Sequence, residues 1–183
     1  MWNERTKVNR ELKQRWKMLY ITSVYQGDVD RAQRKQDAPT YAPGVFLPSG
    51  SMCMIDNDKV AKLYDATNNP VPHFVFKGNN EIGVRSEVGN IAGGIMTTLP
   101  CTGNYRVQTC VFQQGDGIVY QTNDFLTIAE ADCNGEGTTT MLTKEGAVPY
   151  TSVIAGTVVR PIYKDHMGNN TLIADLMFLP KQG

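Results

Sequence analysis

Two histidines, four cysteines and a few paired acids are the residues of this 183-residue chain whose types could do chemistry. His73 and His166 are the only histidines, so any general base of that kind must be one of them. A hydrolase would need a nucleophile beside one of them, and Ser51 or Cys53 with His73 is the least poor candidate. Ser49 is a further hydroxyl nearby in sequence. No Gly-x-Ser-x-Gly elbow and no cysteine-protease signature accompanies either histidine. Alternation in residues 73–77 puts His73 on the polar face of a strand, and His166 falls in a hairpin tip. Both are expected at the surface, and no catalytic residue is assigned.

Cys53, Cys101, Cys110 and Cys133 contain no Cys-x-x-Cys, and no histidine stands at finger-like spacing from any pair. No metal is expected, and the thiols read as reduced, buried small hydrophobes. Asp28/Asp30 and Asp56/Asp58 faintly resemble the start of a calcium loop. A true loop needs glycine at its sixth position and glutamate at its twelfth. From Asp56 those places hold Ala61 and Thr67; from Asp28 they hold Gln33 and Pro39. Both matches fail, which leaves ordinary solvated acids. The run Gly89-Asn90-Ile91-Ala92-Gly93-Gly94 lacks the glycine spacing of a nucleotide loop and reads as a turn. No cofactor is expected.

The elements that would position these residues are mostly strands. Residues 73–77 alternate, with Phe74 and Phe76 opposite His73 and Lys77. Residues 104–112 alternate likewise, with Tyr105, Val107 and Val111 opposite Asn104, Arg106 and Gln108. Gly115-Asp116-Gly117 turns the chain into 118–121, a strand follows at 125–129, and Asn134-Gly135-Glu136-Gly137 turns it again. The strand pair 153–162 and 171–179 is joined by a polar loop, with Leu172, Ala174, Leu176 and Phe178 on one face. Strands at short spacing predict a mainly β fold, a small antiparallel barrel or sandwich, over residues 51–183. Before it, residues 1–50 read as an N-terminal helix and extended arm. Residues 20–25 favour a strand, and Pro39, Pro43, Gly44, Pro48 and Gly50 punctuate a connection. A short helix around 58–64 is weakly signalled.

Residues 3–19 carry the helix pattern. Val8, Leu12, Trp16 and Leu19 line one face, and Asn3 can cap the start. Arg5, Lys7, Arg10, Lys13, Arg15 and Lys17 occupy the other faces. The chain is formally neutral, with 18 basic and 18 acidic residues, yet the charge is divided. Residues 1–37 hold nine Lys/Arg against five Asp/Glu, and the rest hold nine against thirteen. A basic arm on an acidic body suits reaching onto a neighbour of opposite charge. Trp2, Arg5, Val8, Arg10, Leu12, Lys13, Trp16, Lys17 and Leu19 are therefore the candidate protein-interaction residues. The same cations with Trp2 and Trp16 could touch nucleic acid, but Trp16 lies in the apolar stripe, which favours protein. No run of about 18 apolar residues suits a membrane helix, and the charged start is no secretory signal. A cytosolic protein, or one assembled in a cytosol, is expected.

From Val71 to Pro180 the order of parts resembles the small β-barrel head-decoration, or cement, proteins of tailed bacteriophages. The resemblance is carried by the strand after proline at 72–78, the strand 105–112, the extended segment Tyr120-Gln121-Thr122-Asn123-Asp124-Phe125-Leu126-Thr127-Ile128, the strand 154–161, and the apolar strand ending Phe178-Leu179-Pro180. The arm has no counterpart in it. The resemblance implies a non-enzymatic virion structural protein on the capsid exterior, made in the host cytoplasm. Its implied partners are the major capsid protein and further copies of itself, as a trimer, with no membrane and no direct nucleic-acid contact. A portal or tail-joint protein and a single-stranded nucleic-acid-binding barrel are the competing readings.

Overall fold

The computed structural model describes residues 21–24, 40–41, 45–77, 97–115, 117–133, 135, 137–146, 152–166 and 168–182. The expected helix at 3–19 and its interaction residues lie outside these. The described residues form eleven strands and no helix. In chain order they are β1 Ile21–Val24, β2 Thr40–Tyr41, β3 Met52–Ile55, β4 Val60–Lys62, β5 His73–Lys77, β6 Thr97–Pro100, β7 Arg106–Thr109, β8 Phe125–Asp132, β9 Thr138–Lys144, β10 Ile154–Lys164 and β11 Asn170–Leu179.

One sheet runs β1-β7-β11-β10-β8-β9-β3-β4-β2, and β3 also pairs with β5, which carries β6. Every pairing is antiparallel except β2 with β4. The sheet curls into a half-barrel, as the mainly β expectation required. Register breaks between Ile154 and Gly156, Val158 and Arg160, and Arg160 and Tyr163 mark where β10 bends against β11. An extra residue on one strand of a pair sharpens twist and bends the strand. Gly156 sits at the first of these bends, and a Cβ there would stand 2.7 Å from the Asp175 carbonyl oxygen. Only glycine lets β10 lie this close to β11.

The concave side of the curl holds the main core. Met52, Phe74, Leu99, Val107, Leu126, Leu142, Leu172, Ala174 and Leu176 meet there, with Phe178 packed at its margin. The face predicted for 171–179 is therefore the face that is buried. Fully burying side chains of this size is worth about 1.5–3 kcal/mol each. A second, smaller layer covers the back of β3 and β5: Leu47, Cys53, Ala61 and Val75, with Val45 and Leu63 beside them.

The chain departs from expectation at four places. Residues 58–64 make no helix; β3 turns into β4 through 56–59, where Lys59 takes a left-handed φ of 59°. Asp56 Oδ1 accepts hydrogen bonds from the amides of Asp58 and Val60, and β-branched Val60 enters the strand. A short acidic side chain bonding to the backbone ahead of it competes directly with helix formation. His73, expected at the surface, is half-buried, because the supposedly polar face of β5 also carries fully buried Val75. Gln108, likewise placed on a polar face, is buried in β7, which lies between β1 and β11. Residues 118–121 are loop, in which buried Tyr120 donates its hydroxyl proton to the Gln113 carbonyl at 2.6 Å.

Candidate functional site

Cys53 and His73 come together, since β3 pairs with β5 and places them directly opposite, whereas Ser51 lies beside Val75, whose amide donates to the Ser51 carbonyl. The arrangement is a structural one. Ser51 Oγ donates to the Pro48 carbonyl at 2.6 Å and is fully buried, so its hydroxyl closes a turn. Cys53 is fully buried, and burial pushes its thiol far above the ordinary value, against thiolate formation. The His73 ring faces Thr98, with Nδ1 3.2 Å from Oγ1, and burial lowers its pKa to about 4. Burial thus disfavours both the thiolate and the imidazolium that a nucleophile–base pair would use. His166 is exposed in the β10–β11 turn.

The four thiols are buried, as expected from the sequence, and none is in a disulfide; Cys110 Sγ lies 3.7 Å from Thr171 Oγ1. Burial also raises the Cys101 and Cys110 pKa values. Among the described residues no group of three His, Cys, Asp or Glu side chains could hold a metal ion. Asp56 is more than a solvated acid: besides its two amide bonds, its Oδ2 meets Lys62 Nζ at 2.6 Å. The Lys62 hydrogen bond holds the Asp56 carboxyl below its usual range. Asp65 in turn accepts from the Thr67 amide and hydroxyl. Asp28 and Asp30 lie outside the described residues.

What the described surface offers is apolar. Val71, Cys101, Thr102, Gly103, Met177 and Phe178 line an open depression of about 460 Å³. Three elements supply it: the segment entering β5, the loop leaving β6 and the end of β11. Val71 is 41% exposed although flanked by Pro70 and Pro72, which hold it in an extended segment. Val119 in the loop before β8 is 62% exposed. The candidate interaction residues named from the sequence all lie in the arm, and none lines this depression. Its signals were the Pro-Val-Pro triplet and the pair Met177-Phe178, which puts apolar groups on both faces at a strand end.

Trp2, Arg5, Val8, Arg10, Leu12, Lys13, Trp16, Lys17 and Leu19 lie outside the described residues. The strand that follows them does not: β1 pairs with β7 through Ile21↔Thr109 and Val24↔Val107, fixing where the arm joins the sheet. Comparison with protein-family models, with curated proteins and with solved structures finds no match to this chain.

Proposed function

We propose that the chain is a non-enzymatic structural protein that docks on a capsid shell and bridges major capsid subunits. The observation that carries this reading is the opposition of charge, a basic amphipathic arm against an acidic β-body. Body and arm have different tasks in it. The half-barrel is a stiff block whose core is filled with side chains, and its exposed Val71 and Val119 present apolar contact points. The arm carries Val8, Leu12, Trp16 and Leu19 as anchors, and Arg5, Arg10, Lys13 and Lys17 steer it to acidic surface. On an icosahedral shell each such contact is repeated many times, so a modest interface energy becomes large in sum. The order of strands from Val71 to Pro180 resembles tailed-phage decoration proteins, which supports the same reading.

The test is addition of the purified protein to pre-formed cognate shells that lack it. Saturable binding at fixed stoichiometry is expected. Because β1 belongs to the sheet, a truncation must stop before Ile21; removing residues 1–19 should leave a folded body that binds shells at least tenfold more weakly. Unchanged binding by the shortened chain removes the arm from the reading. Salt-sensitive binding to single-stranded DNA with no binding to shells would favour the nucleic-acid module instead.

A further inference from the structure

His73 occupies a position that the docking reading does not use. It lies on β5 between β3 and β6, opposite Cys53 on one side and Pro100 on the other. Its face of the sheet is the one covered by Leu47, Ala61 and Val75. Strand β6 is an edge among the described residues: its partner is β5, and Pro100 at its end has no amide to give. Its middle residues are nonetheless sunk in the fold, Thr98 at 1% and Leu99 at 0% exposure. A short edge strand with buried side chains is thus held by one neighbour, and the one ionisable ring in that join is His73.

We propose that His73 is an acid-sensitive latch, whose protonation releases β6 from β5 and opens the small layer over Cys53. The neutral ring needs one polar partner, and Thr98 Oγ1 provides it at 3.2 Å. The protonated ring carries two donors and a full charge, and half-buried charge without an opposite partner is costly. From β3 the group opposite is the Cys53 thiol; from β6 come the Thr98 hydroxyl and uncharged Pro100; beyond β6 lies the buried Cys101 thiol. Burial lowers the His73 pKa, and none of these neighbours carries a charge that would offset a protonated ring. The open state, with the ring in water, binds the proton near pH 6.5, whereas the closed state binds it near 4. By linkage, acid between these values favours opening, and from pH 7.5 to pH 5 the open population rises about 30-fold.

Hydrogen exchange on the full chain tests this, with β10–β11 amides as an internal reference and each rate corrected for intrinsic pH dependence. In parallel, 4,4′-dithiodipyridine, which reacts in acid, reads the accessibility of Cys53. The expected result is a rise of about 30-fold in opening across residues 97–101 and at Cys53, with β10–β11 unchanged. In H73Q the rise should vanish. An equal rise in H73Q, or a uniform rise over the whole sheet, overturns the latch. If H73Q does not fold, the His73 ring signals in an H166N chain decide by NMR: a midpoint near 4 sustains the proposal, and one near 6.5 overturns it.

Discussion

Arg106 on β7 and Asp175 on β11 stand at opposed register positions and close a two-point ion pair, Nε to Oδ1 at 2.7 Å and Nη2 to Oδ2 at 2.8 Å. The pair is geometrically good yet solvent-facing, with side chains 39% and 40% exposed. Solvent screening keeps such pairs small. A double-mutant cycle over R106A and D175A should give a coupling of about 0.5–1 kcal/mol, shrinking in 1 M salt. A coupling above about 2 kcal/mol would show that the pair is far less wet than its exposure implies.

The core of β11 should be much less forgiving. Leu172 and Leu176 are fully buried in the main cluster. Replacing either with alanine should cost about 2–5 kcal/mol in urea unfolding, because each leaves a cavity as well as losing transfer energy. Phe178, at the margin of the same face, should show a smaller loss when cut to leucine.

Gly156 tests the bend in β10. Its missing Cβ would stand 2.7 Å from a backbone oxygen, which cannot swing away as a side-chain tip can. G156A should therefore lower stability by about 1–3 kcal/mol, read as a fall in denaturation midpoint. A neutral G156A would mean that the two strands sit further apart than described.

The Asp56 turn sets a pH dependence whose sign is fixed. Its folded-state pKa is lowered, chiefly by the Lys62 hydrogen bond, from the ordinary 3.8. A depressed carboxyl stabilises the fold above its unfolded pKa, and the contribution disappears as pH falls through the folded value. D56N should flatten the acid limb of the stability curve below pH 4, leaving the slope at neutral pH unchanged. Urea midpoints taken between pH 2.5 and 7 measure it.

Thiol chemistry provides a test independent of energetics. With Cys53, Cys101, Cys110 and Cys133 all buried, Ellman's reagent at pH 8 should label none quickly in the native chain and all four in urea. A fast native thiol would place one of these cysteines at the surface.

The fold was legible wherever one face met water. In β11 the alternation of Leu172, Ala174 and Leu176 with Ile173 and Asp175 matches buried and half-buried positions residue by residue. It failed where both faces are covered. β9 reads Thr-Thr-Thr-Met-Leu-Thr-Lys, and five consecutive residues of it are buried, so no alternation marked it as a strand. β3, with Met52 and Cys53 buried side by side, was hidden for the same reason. His73 and Gln108 were misplaced because polarity was taken for exposure. At the candidate site the pairing of Cys53 with His73 came from sequence pattern alone, and the partial burial of His73 was not legible there. The depression around Val71, Met177 and Phe178 had local signals, but its assembly was not legible because three segments distant in sequence build it.

The strand order also bears on how the chain matures on the ribosome. β1 pairs with β7, and β7 is itself flanked by β11, some 150 positions after β1. β3 likewise waits for Thr140 of β9, some ninety positions downstream. β3 has β4 and β5 close behind it, but β1 meets β7 only far downstream, and loop closure over such separations is slow. Folding should therefore start from the local β3–β4, β8–β9 and β10–β11 hairpins, with β1 added late. Until then its edge is open to any chaperone that binds extended peptide.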